Sequence, residues 1–434
     1  MSETVSATVS SASSEKASAE KVSSEKTSPE KASRSKTSRD KGYWDVAVIG
    51  GGIHGAGVAQ AVAAQGLSVV VLEKNQWASG TSSRSSKLVH GGLRYLQTMQ
   101  FGLVRESLRE RELLLRLAPE LVRPQRFIIP VYRKSRYRPW QVRSGLAAYS
   151  LLSGLTPETR FRILKPAQWP DLEGLRTQDL QAVFSYRDAQ TDDILLTKAV
   201  LASARELGAT LLCPAELLSA RRDNDQYQFS YRSGEDIHEG QCRFLVNAAG
   251  PWVEQVRQQV DPLPRGANID LVQGSHLILA QPLARHIYYL ESPRDQRAVF
   301  VMPWEENCLV GTTELLYRGD PEASAPTYDE TEYLLEVMRL YFPDHPLEII
   351  AQFAGLRVLP HSHLNPFLRD RSVQFRMDKP ERSRYLAIYG GKLTTYRATG
   401  EKVAQHIVKE LGHRKTGTNT ATLPLTLSAA RSLS

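Results

Sequence analysis

One long apolar stretch dominates the hydrophobic pattern of this chain: VAVIGGGIHGAGVAQAVAAQGLSVVVLEK, in which no charged residue occurs between Val46 and Glu73. As a membrane span it would put a cluster of glycines and polar side chains at bilayer depth, where glycine weakens a helix and polar groups are costly. As a βαβ unit it reads as a buried strand (Val46–Ile49), a helix (Ile53–Gln65) and a second strand (Leu67–Leu72). The pattern therefore favours a βαβ unit over a span.

The rest of the chain alternates helical and extended patterns. Apolar residues recur at helical spacing in Leu103–Leu121 and Asp192–Ala209, whereas polar and apolar residues alternate in YQFSYRS. The segment RFLVNAAG has the run of apolar residues typical of a buried strand that leads into a turn. Helices, a meander and buried strands together predict an α/β fold.

The turn after the first strand has the spacing Gly50-x-Gly52-x-x-Gly55. Such glycines let the backbone approach a pyrophosphate, whose charge faces the positive end of the helix dipole. Glu73 follows Gly50 at close to the spacing of about 20 residues expected for the acid that binds a ribose 2′-hydroxyl. The charge of this carboxylate disfavours the 2′-phosphate of NADP. The stretch therefore predicts a dinucleotide site. We expect His54 in this turn to be neutral, because the helix dipole resists a positive imidazole.

Composition and charge narrow the class of protein. The 434 residues are 41% hydrophobic and 24% charged, which is typical of a globular enzyme. The formal net charge of +8 is scattered and accompanies no recognition motif, so a nucleic-acid binder is disfavoured. The three cysteines are far apart and indicate neither a disulfide framework nor a metal site. With no secretory or transit signal, we expect a cytoplasmic protein. Contact with the inner face of the membrane is compatible with this location.

The first 42 residues form a low-complexity segment. Lysine recurs at every fifth position from Lys16 to Lys41, within repeats such as SEKAS and AEKVS, and large apolar residues are missing from these repeats. Because nothing here offsets the entropy of ordering, we predict that residues 1–42 are disordered. Interleaved glutamates cancel most of the attraction of these lysines for an anionic membrane.

Three later motifs carry a resemblance to a known family. The segments are TSSRSSKLVHGGLRYL (Thr81–Leu96), LVNAAGPW (Leu245–Trp252) and GGKLTTYR (Gly390–Arg397). Together they resemble the FAD-dependent glycerol-3-phosphate dehydrogenases, from Trp44 to Arg397. The resemblance implies a Rossmann-like FAD-binding domain of the glutathione-reductase type, shared with amino-acid oxidases, and an inserted antiparallel-sheet substrate domain. The two glycine-lined turns and the distant closing segment are then expected to meet at the flavin.

This resemblance also implies a division of the chain. We expect a discontinuous FAD domain at about 43–135, 185–255 and 350–415, a substrate subdomain at 256–349 with 136–184, and a C-terminal tail at 416–434. The family's usual helical C-terminal domain is expected to be missing. Three small departures lie in the matched motifs: GLRVL replaces the usual GVRPL, NAAGPW replaces NATGPW, and Glu314 follows GTT where aspartate is commoner.

Residues matched to the family's motifs are implied to bind FAD. They are Gly50, Gly52, Gly55, Glu73, Thr81, Ser82, Ser86, Lys87, Gly91, Gly92, Ala249, Gly250, Gly391, Lys392, Leu393 and Thr394.

The implied reaction is oxidation of sn-glycerol 3-phosphate to dihydroxyacetone phosphate by hydride transfer to flavin N5. Arg94, Tyr95, Arg357 and Lys392 are implied to bind the substrate, because guanidinium and ammonium groups suit a phosphate dianion. His276 is the expected proton acceptor, since an imidazole with an unperturbed pKa near 6.5 accepts and releases protons at neutral pH. Arg357 and Lys392 are further catalytic candidates.

Electrons are expected to pass to a quinone or another acceptor. The region Tyr132–Leu155 joins basic and aromatic residues to an apolar run too short to span a bilayer, so it is either an interfacial contact or an ordinary packed helix. Two other functions stay open. One is a flavin oxidase that acts on a secondary amine or a 2-hydroxy acid, and the other is an inactive FAD-bound assembly or binding protein.

Overall fold

A computed structural model of the chain describes residues 42–154, 159–283, 285–361, 372–379, 382–414 and 417–433. The segment predicted to be disordered, residues 1–42, lies outside these ranges except for Gly42. The strands are β1 (Tyr43–Ile49), β2 (Val69–Leu72), β3 (Leu88–Val89), β4 (Val122–Tyr132), β5 (Arg162–Leu164), β6 (Leu180–Thr191), β7 (Thr210–Leu212), β8 (Glu216–Asp223), β9 (Gln226–Ser233), β10 (Asp236–Asn247), β11 (Val260–Asp261), β12 (Ile269–Leu279), β13 (Ile287–Glu291), β14 (Ala298–Trp304), β15 (Asn307–Gly311), β16 (Leu315–Tyr317), β17 (Ile349–Pro360), β18 (Gln374–Met377) and β19 (Tyr385–Tyr389). The helices are α1 (Ile53–Ala64), α2 (Phe101–Leu117), α3 (Pro139–Leu152), α4 (Asp193–Glu206), α5 (Val253–Gln258), α6 (Tyr328–Tyr341), α7 (Tyr396–Glu410) and α8 (Leu427–Arg431).

The first sheet contains the predicted βαβ unit. β1 pairs in parallel with β2 and with the C-terminal half of β10, while β19 and β7 extend the parallel strands on either side. The N-terminal half of β10 forms an antiparallel meander with β9 and β8. Because the carboxyl ends of parallel strands meet at one edge, the loops after β1, β2, β10 and β19 are brought together there.

Helix α1 is apolar on every side because protein surrounds it. All of its residues except His54 are buried, and it packs against the sheet, α4 and α7. A side chain at Gly400 of α7 would lie 2.4 Å from the Gly57 carbonyl oxygen, so glycine is needed for this close approach. The apolar stretch is therefore a buried helix between two strands. Among the described residues, no helix is long and apolar enough to cross a membrane.

The second sheet is mostly antiparallel. Its strands run in the order β16, β12, β15, β14, β13, β4, β6 and β3, with β17 added to β12 and β5 added to β6. Among the described strands of this second sheet, only β13 and β4 pair in parallel. Helix α6 and β13–β15 contribute to one apolar core on this sheet, and a separate core lies around α1. The two sheets confirm the predicted α/β fold class.

Several strands from the predicted FAD segments pair inside the second sheet. They are β3, β4, β6 from Ser185 onward, and β17 apart from Ile349. β4 pairs with β6 along nearly its whole length, and β17 pairs with β12 in the same way. These long antiparallel pairings join distant segments, which local sequence patterns do not reveal.

The predicted C-terminal tail is packed onto the fold. The backbone N–H of Thr418 donates to the Ala64 carbonyl at 2.9 Å, and that of Leu425 donates to the Leu117 carbonyl at 2.7 Å. Leu425, Ala430 and Leu433 are buried in the core around α1. Residues 417–433 therefore cover the helical face of the first sheet, so "tail" was the wrong description for this part of the chain.

Candidate active site

Three loops meet at the carboxyl edge of the first sheet. Gly50 has a φ of +108°, and a Cβ there would lie 2.7 Å from the carbonyl oxygen of Ala248 in the NAAGPW turn. A Cβ on Gly391, in the GGK segment, would lie 2.2 Å from Nε2 of His54. Glycine is required at both positions because a side chain would separate the loops. The turns and the closing segment together line one cavity of about 430 Å³.

Glu73 is fixed at one end of this cavity. Its carboxylate accepts hydrogen bonds from the backbone N–H of Gly51 at 2.7 Å and of Asn75 at 3.0 Å. Ser82 lies over the start of α1, where its Oγ accepts a hydrogen bond from the Ile53 N–H at 2.9 Å. The carboxylate and the helix N-terminus thus border the same cavity, as the dinucleotide motif predicts.

Most of the residues expected to bind FAD line this cavity. They are Gly50, Gly52, Glu73, Thr81, Ser82, Ser86, Ala249, Gly250, Gly391, Lys392, Leu393 and Thr394.

Three predicted cofactor glycines serve packing and do not line the cavity in the described part of the chain. A Cβ on Gly55 would lie 1.9 Å from the Gly50 carbonyl oxygen, and one on Gly91 would lie 2.4 Å from the Leu108 side chain. Gly92 has a φ of +76°, and a Cβ there would lie 2.2 Å from the Tyr95 ring. These glycines shape the loops that surround the site.

Lys87 is not among the described residues that line the cavity. Its ammonium donates to the Asp193 carboxylate at 2.5 Å and to the Ser83 carbonyl at 2.6 Å, and both charged side chains are almost completely buried. Ser85 contacts the same carboxylate through its hydroxyl at 2.6 Å. The predicted cofactor role of Lys87 stays a prediction, since its ammonium is paired with Asp193 in the structure. The lysine fixes the 81–87 loop to the first residue of α4, because a buried ammonium needs a buried acid.

The four predicted substrate-binding residues come together from distant parts of the chain. Arg94, Tyr95, Arg357 and Lys392 all line the cavity. The Lys392 ammonium lies 3.7 Å from the centroid of the Tyr95 ring, in cation–π contact. The Arg357 guanidinium donates to Thr312 Oγ1 at 3.0 Å. Three cations and a phenol thus border one space, an arrangement that can bind a phosphate dianion.

His276 lies on β12 and lines the same cavity, with 2% of its surface exposed. Its Nε2 is 2.9 Å from Ser86 Oγ, and its ring stacks on Phe353 with centroids 4.8 Å apart. Burial, followed by the positive charges of Arg357 and Lys87, lowers the pKa of His276 to about 3. The sequence argument assumed an unperturbed pKa near 6.5, so that assumption is wrong. The imidazole is neutral and is a weaker base in the substrate-free protein.

His54 is neutral, as predicted, and burial lowers its pKa to about 4. His90, which sequence reasoning passed over, also lines the cavity, and burial lowers its pKa as well. His90 lies within the motif Thr81–Leu96, and Thr312 lies in the GTT that precedes Glu314, so these motifs contained the signal that would have found them.

A second cavity of about 270 Å³ adjoins the first. Leu93, Arg94, Tyr289 and Ala298 line both cavities. The wall of the second cavity includes residues of α3 and β4, mostly apolar, together with Arg136 and Arg297. Arg94 therefore lies at the boundary of the two cavities.

The residues of the first cavity fit FAD. Glycines of the first two turns line the cavity, an acid stands at the end of β2, and the start of α1 borders the same space. These features match the pyrophosphate and ribose of a dinucleotide.

Comparisons with known proteins agree with the geometry. A family model described as FAD-dependent oxidoreductase matches residues 45–406. D-erythritol 1-phosphate dehydrogenase of Brucella abortus (strain 2308) is 38% identical over 361 residues, which are 80% of this chain and 71% of that protein. Aerobic glycerol-3-phosphate dehydrogenase of Escherichia coli (strain K12) is 36% identical over 366 residues, 80% of this chain and 69% of that one.

Among solved structures, glycerol-3-phosphate dehydrogenase from Bacillus halodurans complexed with FAD superposes with a TM-score of 0.71 at 29% identity. The superposition covers 89% of this chain and 70% of that chain. These findings confirm the resemblance read from the motifs, and they confirm FAD as the cofactor. The chain belongs to the family of FAD-dependent oxidoreductases, with glycerol-3-phosphate dehydrogenases among its relatives.

Proposed function

We propose that this enzyme oxidises a secondary hydroxyl of a phosphorylated polyol, with sn-glycerol 3-phosphate as substrate and dihydroxyacetone phosphate as product. One observation carries the proposal: Arg94, Arg357 and Lys392 border the cavity that also contains the glycine turns. A small dianion bound by these cations would lie within reach of a cofactor in the same cavity. The names of the two relatives described above support a substrate of this class.

In this proposal the chain's own residues bind the phosphate and move the proton. FAD, when bound, supplies the hydride acceptor. Arg94, Arg357 and Lys392 neutralise the phosphate, and Tyr95 adds a hydroxyl donor. His276 accepts the proton of the substrate hydroxyl. Because the positive charge of Arg357 lowers the pKa of His276, a phosphate on Arg357 offsets that charge and makes the imidazole a stronger base when substrate arrives.

Reduction of the bound flavin tests the proposal directly. We expect anaerobic addition of sn-glycerol 3-phosphate to the holoenzyme to bleach the visible flavin band, and glycerol without the phosphate to leave it almost unchanged. A holoenzyme that stays oxidised with every polyol phosphate would contradict the proposal. That result would favour either the inactive FAD-bound protein or an enzyme with another class of substrate.

A four-carbon polyol phosphate such as D-erythritol 1-phosphate is a second candidate. The adjoining cavity favours it, because a longer carbon chain that extends past Arg94 would enter this second cavity. Gly145 of α3 lines this second cavity, and a Cβ at Gly145 would meet nothing within 4 Å. We expect Gly145→Leu to lower kcat/KM for erythritol 1-phosphate and to leave kcat/KM for glycerol 3-phosphate unchanged. An unchanged kcat/KM for erythritol 1-phosphate in the variant would exclude a role for this cavity in substrate choice.

A quinone is the proposed electron acceptor, and oxygen is the alternative. Turnover with glycerol 3-phosphate and a soluble quinone analogue, with hydrogen peroxide measured in parallel, separates the two. Stoichiometric peroxide without quinone reduction would identify a flavin oxidase instead.

A further inference from the structure

We propose that the short segment Thr312–Glu314, between β15 and β16, positions both arginines of the phosphate site. Thr312 holds the guanidinium of Arg357, and Glu314 holds that of Arg94. The inference rests on the proposed function in one respect: it takes these two arginines as the groups that bind the substrate phosphate. Thr312 and Glu314 act through the arginines, so they are positioning residues for the reaction.

The Thr312 hydroxyl is oriented toward Arg357. It donates its proton to the Thr313 carbonyl oxygen at 3.2 Å, which leaves its lone pairs for the Arg357 Nη2 donor at 3.0 Å. Gly274 on β12 faces this contact: a Cβ there would lie 2.4 Å from Nη2 and 2.5 Å from Thr312 Oγ1. Any side chain at Gly274 would therefore displace the pair. Thr312 and Gly274, from a loop and a strand, together confine the guanidinium of Arg357.

Buried hydrogen bonds anchor the middle of the segment. Thr313 Oγ1 donates to the Glu330 carboxylate at 2.6 Å and accepts from the Ser275 N–H at 2.8 Å. Glu330 is itself buried and caps the start of α6 together with Thr327. Because Thr313 is tied to both β12 and α6, its neighbours on either side have little freedom to move.

Glu314 lies between two guanidinium groups. Its carboxylate is 3.7 Å from Nη2 of Arg94 and forms an ion pair with Arg297, and its side chain is only 7% exposed. Arg297 also donates to the Glu314 backbone carbonyl at 3.2 Å. Arg297 therefore fixes the acid and balances its charge, and the acid in turn fixes Arg94 at the boundary of the two cavities.

The sign of one measurement separates positioning from simple electrostatics. A carboxylate beside a phosphate site repels a dianion, so its removal by itself should tighten phosphate binding. If Glu314 instead holds Arg94 in place, its removal should weaken binding because the guanidinium is no longer aligned. The two accounts predict changes in opposite directions.

The test measures the affinity of the holoenzyme for inorganic phosphate, through the perturbation of the flavin spectrum, together with KM and kcat for glycerol 3-phosphate. We expect Glu314→Gln to raise Kd and KM about tenfold, with a smaller change in kcat. Glu314→Asp keeps the charge and should recover most of the affinity. Thr312→Val should raise KM by a similar factor, and Thr312→Ser should restore it, since serine can make both hydrogen bonds.

Matched controls distinguish these effects from general damage. Glu336→Gln removes an acid that forms a surface ion pair with Arg294. Thr331→Val removes a hydroxyl that donates a hydrogen bond to Gln352. Neither change should alter Kd for phosphate or KM for glycerol 3-phosphate.

A double-mutant cycle with Arg94→Lys should show that Glu314→Gln costs little once the guanidinium is gone. Tighter phosphate binding in Glu314→Gln, or an undiminished loss in the Arg94→Lys background, would overturn the inference. The phosphate Kd values decide this point even if no polyol phosphate reduces the flavin, so the two proposals fail separately.

Discussion

At the scale of single residues, burial sets the charge of the histidines that line the cavity. His276 and His54 have pKa values lowered to about 3 and about 4, with desolvation as the largest cause in both. The unfolded chain restores pKa values near 6.5. Below about pH 6.5 the unfolded state therefore binds protons that the folded state does not, so the free energy of unfolding decreases as pH falls from there toward about 4.

This linkage predicts a measurable change in one variant. Each such histidine adds about 1.4 kcal/mol per pH unit to the slope of the unfolding free energy between about pH 6 and about pH 5. We expect His276→Gln to reduce the slope by about that amount, because glutamine does not titrate. Urea unfolding at several pH values in this window measures the slope. Equal slopes in wild type and variant would mean that His276 is protonated in the folded state.

Arg94 provides a second prediction at this scale. Arg94→Ala should lose about 1.5–3 kcal/mol of charged hydrogen bonding to the phosphate, which lowers kcat/KM for glycerol 3-phosphate about 10–100-fold. Arg136 is a suitable control, since it lines only the second cavity among the two described. Steady-state kinetics of Arg94→Ala and Arg136→Ala make the comparison. Unchanged kinetics in Arg94→Ala would remove this arginine from the phosphate site.

At the scale of elements, one buried ion pair connects the loop 81–87 to the helices of the first sheet. Lys87 closes the 81–87 loop onto Asp193 at the start of α4, and α4 packs against α1. The same loop carries Thr81, whose hydroxyl donates to the Leu356 carbonyl of β17 at 2.7 Å. The loop is therefore held from both sheets.

Loss of this ion pair should be costly. Asp193→Asn leaves the Lys87 ammonium buried without its charge partner, so we expect the free energy of unfolding to fall by about 3–5 kcal/mol. The surface pair of Glu106 with Lys402 is the control, and Glu106→Gln should change stability by less than about 1 kcal/mol. Chemical denaturation with flavin release as a second signal measures both. A loss in Asp193→Asn no larger than in the control would show that the pair contributes little.

At the scale of the whole molecule, α3 presents an apolar and basic surface. Trp140 is 67% exposed and Leu151 is 65% exposed, and Arg138 and Arg143 lie exposed beside them. Trp140 and Leu151 are three helical turns apart, so they share a face of α3. This arrangement keeps an interfacial membrane contact as a prediction for the region 132–155, next to the second cavity.

Liposome flotation tests that prediction. Each basic residue near an anionic surface contributes about 1 kcal/mol, so Arg138→Glu should weaken binding to anionic liposomes at least about fivefold. Trp140→Ser should weaken binding to anionic and neutral liposomes alike. Arg232→Glu, on the exposed β9, controls for total charge. If wild type and Arg138→Glu float equally, α3 is an ordinary surface helix.

The sequence by itself determined the local features of this protein. The spacing of Gly50, Gly52 and Gly55 within an apolar run fixed a βαβ unit, because glycine turns and strand and helix periods are local properties. Its strand, helix and second strand occur at Tyr43–Ile49, Ile53–Ala64 and Val69–Leu72, close to the predicted positions. The resemblance of three later motifs to a known family likewise implied FAD and a set of site residues, most of which line one cavity.

Only the tertiary structure decided what depends on distant partners. The motif Thr81–Leu96 contains both Ser86 and Lys87. Ser86 lines the cavity, whereas Lys87 forms an ion pair with buried Asp193, more than a hundred positions away. The pKa of His276 depends on burial and on Arg357 and Lys87, which belong to other strands and loops. Membership of β4 and β17 in the second sheet depends on their pairing partners. Burial, ion pairing and sheet register are properties of the assembled fold. They depend on contacts between residues far apart in the sequence, so local sequence patterns do not predict them.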